Sequence, residues 1–151
     1  MNRTHHELLV TLRIGGVEPE RVTQLLGLTP TKSIRKGEPR VGRSGRRYAD
    51  QPDHIWLLEE ERASSGELSV ALAKLLRDLG PRAEQLRAVA SEARVDVFVG
   101  VFPLEANLGL SLDSAVLLDL GRLHLNVELD IYLPARPNEV IDEPGQPARP
   151  T

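Results

Sequence analysis

The chain has no cysteine. Disulfides, a thiolate metal site and a cysteine nucleophile are therefore excluded. Aromatic residues are scarce, with one Trp, two Tyr and two Phe in 151 residues. No apolar run approaches a membrane span, and the opening MNRTHHELLV lacks the apolar core of a signal peptide. A cytoplasmic location with no membrane association is the expectation. A strong charge of one sign is missing too: Lys and Arg total 19 against 22 Asp and Glu, a net charge of -3. The molecule as a whole is thus no polyanion binder. What remains is the composition of an ordinary soluble globular protein. Its length accommodates one domain with a real core plus a tail. Arg outnumbers Lys 16 to 3, a bias that a GC-rich genome produces without functional cause.

The patterning along the chain gives the elements. Leu8, Val10, Leu12 and Ile14 alternate with Leu9, Thr11 and Arg13, the period of a half-buried strand. Pro19 with flanking Glu18 and Glu20 starts a helix, and Gly27 is placed to close it. Lys32–Gly37 reads as a short edge-like strand. Residues 38–53 hold two Pro, charge clusters and Gly42 and Gly45 without periodicity, which reads as a long loop. His54–Glu59 is a strand, with Ile55 and Leu57 on one side and His54, Trp56 and Leu58 on the other. Ser64 to Glu67 has capping-box spacing ahead of a Leu-rich helix that ends at Gly80. Pro81 opens another helix. Val95, Val97, Val99 and Val101 line one face of the next strand, with Asp96, Phe98, Gly100 and Phe102 opposite. Ser111 is placed to cap a helix through Leu120, with Gly121 as its stop.

The last strand has the cleanest pattern. Leu123, Leu125, Val127, Leu129 and Ile131 form one row; His124, Asn126, Glu128, Asp130 and Tyr132 form the other. It has no Gly or Pro in its interior, so it is expected inside the sheet with its apolar row at the centre of the core. Residues 1–133 form one globular domain on this reading, and the Pro-rich 134–151 a disordered tail. The fold expected is α+β: a ferredoxin-like antiparallel or mixed sheet, helices on one face, and two βαβ-type units.

The segment LLGLTPTKSIRKGE, the single Trp in HIWLLE, and NLGLSLDSAVLLDLGRLHLNVELDIY together resemble the bacterial domain-of-unknown-function family numbered 4279. The features carrying the resemblance are Gly27, Pro30, Lys36-Gly37, Trp56, Asn107, Gly121 and Asp130-Ile131-Tyr132. It spans about residues 7 to 132. The resemblance implies no reaction and no catalytic residue.

Two surfaces could carry function. The first is the basic segment 32–47. There Arg35, Lys36, Arg43, Arg46 and Arg47 suit phosphate or carboxylate oxygens, although a charge run is more often a solvated face. Tyr48 is its one aromatic, so base stacking is poorly supported and nucleic acid is the weakest partner class. Its glycines follow no strand-to-helix junction, so no dinucleotide or P-loop cofactor site is present. The second is the outward sheet face with Arg13, Trp56, His124, Asn126, Glu128 and Asp130; its plainer reading is a solvent face. No helical His spacing favours a metal. For chemistry on an anion held by the basic segment, His54 or Asp130 would be the acid–base group, and no catalytic constellation emerges.

Two function classes follow. One is a non-enzymatic binding or interaction module, of the immunity-protein kind, with a protein or a second copy as partner. The other is an enzyme or sensor that holds a small phosphorylated or carboxylated anion on the basic segment.

Overall fold

The alternation from Glu7 onward becomes the middle of the sheet. β1 (Glu7–Gly15) is hydrogen-bonded on both sides. Its row Leu8, Val10, Leu12 and Ile14 is at most 1% exposed. The computed structural model describes residues 6–60, 67–104 and 108–133. Ser64 and the Pro-rich segment from 134 lie outside the described residues. α1 (Pro19–Leu26) follows, opened by Pro19 and closed by Gly27 in the left-handed conformation, whose amide donates to the Thr23 carbonyl. Next come β2 (Lys32–Ile34), β3 (Arg40–Val41), β4 (Arg47–Tyr48) and β5 (Ile55–Glu59). α2 (Leu68–Leu79) runs through a single 3-10 turn into α3 (Ala83–Glu92). β6 (Arg94–Phe102), α4 (Ser114–Arg122) and β7 (Asn126–Ile131) complete the fold.

The structure is α+β with a mixed five-stranded sheet in the order β2–β5–β1–β6–β7. β1 is antiparallel to both neighbours, while β6 and β7 are parallel. Only β6–α4–β7 therefore joins parallel neighbours through a helix, because parallel pairing demands a crossover and antiparallel pairing does not. The strand-helix-strand pattern at the N-terminal end resolves differently: β1 and β5 lie side by side but antiparallel. In that respect the arrangement departs from the ferredoxin-like expectation of two βαβ-type units.

The helices share one core. Val22 and Leu26 of α1, Leu72 and Leu75 of α2, Leu86 and Val89 of α3, and Val116 and Leu120 of α4 cluster with the inward rows of β1 and β6. Ser69 ties α2 to the approach of α4: its hydroxyl donates to the Ser111 carbonyl at 3.3 Å and accepts from the Asp113 amide at 2.8 Å. The helix therefore starts at Ser114, three residues beyond the expected cap, because Ser111 is held against α2 instead.

Two expectations are corrected by the topology. Residues 38–53 are no irregular loop; β3 and β4 pair as a hairpin. Its turn is closed by the Gly42 amide on the Arg46 carbonyl and the Gly45 amide on the Gly42 carbonyl, with Gly45 at φ 79°. Gln51 seals its base, accepting from the Gly37 amide at 2.8 Å and donating to the Glu38 carbonyl at 2.9 Å. Two-residue strands have no apolar row, so no periodicity announced them.

The second correction concerns β7, which is the sheet's edge and not its interior. Its apolar row thins outward: Leu125 is buried and Val127 half-buried, but Leu129 is 44% and Ile131 50% exposed. Alternation reports a two-faced strand and carries no information about what lies beside it. Leu129→Ala should accordingly cost about 1 kcal/mol or less in urea unfolding. A loss above about 2 kcal/mol would mean that the row is covered.

Candidate functional site

All the helices lie against one sheet face. Among the described residues, none covers the other. Arg13 is its hub. On β1 it stands opposite Asp96 of β6, and Asp96 in turn stands opposite Asn126 of β7. Arg13 Nε and Nη2 donate to the two Asp96 carboxylate oxygens at 2.9 and 2.8 Å, a bidentate pair. Nη2 also reaches Glu128 Oε2 at 2.8 Å. The guanidinium lies 5.0 Å from the centre of the Phe98 ring. One cation thus stitches three strands together. The Asp96 hydrogen bond, only partly opposed by burial, holds the Arg13 pKa above its ordinary value. Arg13→Gln should cost about 1 kcal/mol, less at high salt, because the pairs are part-exposed. Urea melts at two ionic strengths check this; a salt-independent loss would contradict it.

Further along the face, Phe102 and Tyr132 stack with ring centres 4.9 Å apart and planes 10° from parallel. Gly100 makes room for them. A Cβ there would sit 3.3 Å from Phe102 Cε2 and 3.5 Å from Tyr132 Cε2. Burial, followed by a hydrogen bond to Asp130, pushes the Tyr132 hydroxyl up to about 12 from 10.0. A raised folded-state pKa means that neutral Tyr132 belongs to the native state. The stability it contributes is complete below pH 10.0 and is lost as the pH rises toward about 12. Phenolate absorbance of a Tyr48→Phe variant isolates this titration. A midpoint at the ordinary value would contradict the packing.

The basic segment 32–47 is tied down by local acids. Arg35 pairs with Glu20 and, at 3.7 Å, with Glu18. Its amide donates to Glu38 at 2.8 Å. The Lys36 amide donates to Nδ1 of His54 at 3.1 Å, and His54 Nε2 faces Glu18 at 3.3 Å. Arg47 reaches Asp50 at 3.4 Å, and Arg46 lies 5.6 Å from the Tyr48 ring centre. Arg43 occupies the hairpin turn. The cations are thus distributed over different partners on α1, at the hairpin and beyond it.

A family model described as a domain of unknown function, DUF4279, matches residues 4–134. The chain belongs to the DUF4279 family. No curated protein and no solved structure matches it. The family assignment brings no reaction with it, so the DUF4279 site has to be read from its own geometry.

Of the outward residues expected from sequence, Arg13, Asn126, Glu128 and Asp130 share the uncovered face of this DUF4279 domain. Trp56 does not. It is 0% exposed, opposite Ile14 on the core side, and its indole N–H donates to Thr23 Oγ1 at 3.0 Å. His124 does not either. α4 runs on through Gly121 to Arg122, and His124 sits in the turn ahead of β7 with φ 53°. There it lines a cleft of about 260 Å³ with Arg87, Ala90, Arg122 and Leu123. Asp96, Phe102 and Tyr132 belong to the face but were not singled out as site residues. Their alternation was visible; the register that puts Asp96 against Arg13 was not. Among the described residues, no cluster of three or more His, Asp or Glu could hold a metal, and no helix is long and apolar enough to cross a membrane.

Proposed function

We propose that this DUF4279 chain is a protein-interaction module that docks a partner on its helix-free sheet face. The observation carrying this reading is the Arg13–Asp96–Glu128 network flanked by Phe98 and by the stacked Phe102 and Tyr132. Mixed charge with flat aromatic area is the composition that interfaces favour. The network is pre-organised, so little side-chain freedom is lost on docking. The basic segment supports an anion site less well, because Arg35 and Arg47 already face carboxylates that compete with an incoming anion.

The test is affinity capture from the source organism, comparing the intact chain with Phe98→Ala/Phe102→Ala and with Arg43→Ala/Arg46→Ala. The face variant should lose a stoichiometric partner that the hairpin variant retains. The reverse result, or a partner indifferent to both, would contradict the reading. So would a melting-point rise with a nucleotide or sugar phosphate that disappears in the hairpin variant.

A further inference from the structure

The two edges of the sheet differ. β2 is three residues long and carries Lys32, the short and charged form in which natural edges avoid pairing. β7 has six residues, Asn126–Ile131, without Pro, Gly or Lys, and among the described residues it is paired on one side only, by β6. Its other side presents backbone N–H and C=O groups to any strand of suitable sequence. The two faces of β7 say what that sequence is. On one face lie the exposed Leu129 and Ile131 beside the half-buried Val127. On the other lie Asn126, Glu128 and Asp130, adjoining Asp96 on β6. Among the described residues, Arg13 is the one guanidinium paired with Glu128, against the three carboxylates of Asp96, Glu128 and Asp130, a surplus of two negative charges.

We infer that β7 accepts an added strand from a partner protein, and that this strand alternates basic with aliphatic residues. The inference rests on the interaction-module reading and names the kind of partner. The aliphatic side chains continue the row of Val127, Leu129 and Ile131 and cover it from water. The basic side chains fall beside Glu128 and Asp130, where opposite charges on neighbouring strands attract and like charges repel. A second copy of this chain fits poorly. Antiparallel two-fold pairing centred on residue 128 or 129 sets Glu128 against Glu128 or Asp130 of the other copy. Nor does the sequence beyond residue 133 contain a run alternating basic with aliphatic residues. The acidic row therefore blocks self-pairing while selecting a basic partner strand.

Three labelled octapeptides test this by fluorescence anisotropy against the full chain: alternating Lys–Val, alternating Glu–Val, and a block of four Lys followed by four Val. The alternating Lys–Val peptide should bind about ten-fold more tightly than either of the others. It should slow amide hydrogen exchange in β7. A Glu128→Lys/Asp130→Lys chain, confirmed as folded by circular dichroism, should switch its preference to the Glu–Val peptide. The isosteric Glu128→Gln/Asp130→Asn chain should lose the preference without gaining the other. Equal binding of the block peptide would reduce the effect to bulk charge and overturn the inference. Protection, before any peptide is added, of those β7 amides that point away from β6 would assign the edge to the chain's own residues and overturn it too, as would a concentration-dependent dimer. If no peptide binds while partner capture still depends on Phe98 and Phe102, the edge inference fails and the docking face stands.

Discussion

Trp56→Ala is expected to lose about 3–5 kcal/mol of stability, the largest effect of any single substitution considered for this chain. The indole is the bulkiest fully buried side chain. It faces the core from β5, with Ile14 of β1 on one side and Ser33 of β2 on the other. Truncation removes its transfer free energy and leaves a cavity between rigid strands, which can close only in part. It also deletes the hydrogen bond from the indole to Thr23, a part-buried polar link from β5 to α1. Trp56→Phe keeps most of the volume and should cost about 1–2 kcal/mol, since it loses the N–H and some packing. The variants remove the sole fluorophore of this kind, so urea melts should be followed by circular dichroism. A loss below about 1 kcal/mol for Trp56→Ala would put the ring at the surface, where the sequence pattern placed it.

Leu12→Ala should come next, at about 2–5 kcal/mol. Leu12 is 0% exposed and stands at the middle of the central strand, in register with Leu58 on one side and Val97 on the other. Helix α2 packs against this strand. Neighbours on both sides and above leave the site no direction in which to collapse. The same substitution at Leu129, on the edge strand, removes the same atoms from a side chain already 44% exposed. The difference between the two measures directly where the core is centred. Equal losses would contradict the strand order.

Much of this was legible in the residues. The inward row of β1 and both rows of β6 follow from strict alternation, which has one phase when polar and apolar residues take turns. Trp56 shows where that logic stops. Ile55, Trp56, Leu57 and Leu58 are all apolar, so no polar neighbour fixes the phase, and only the register with Ile14 decides that Trp56 points inward. His124 falls outside the uncovered face because α4 ends at Arg122, two residues beyond Leu120. Gly121 offered a stop that α4 did not use, and the left-handed turn fell to His124. The edge position of β7 was illegible in principle, since a strand's own composition does not report how many neighbours it has. The uncovered face was half legible: its residues alternate visibly, while the Arg13–Asp96 pair joins positions 83 apart in sequence.

The surface that meets a partner decides between the sheet face and the basic hairpin. Amide hydrogen exchange of the full chain, free and saturated with the captured partner, reads this most directly. Slowed exchange confined to residues 96–102 and 126–132 is the predicted result. Slowed exchange at residues 35–48, with the sheet face and β7 unchanged, would contradict it and return the function to the basic hairpin.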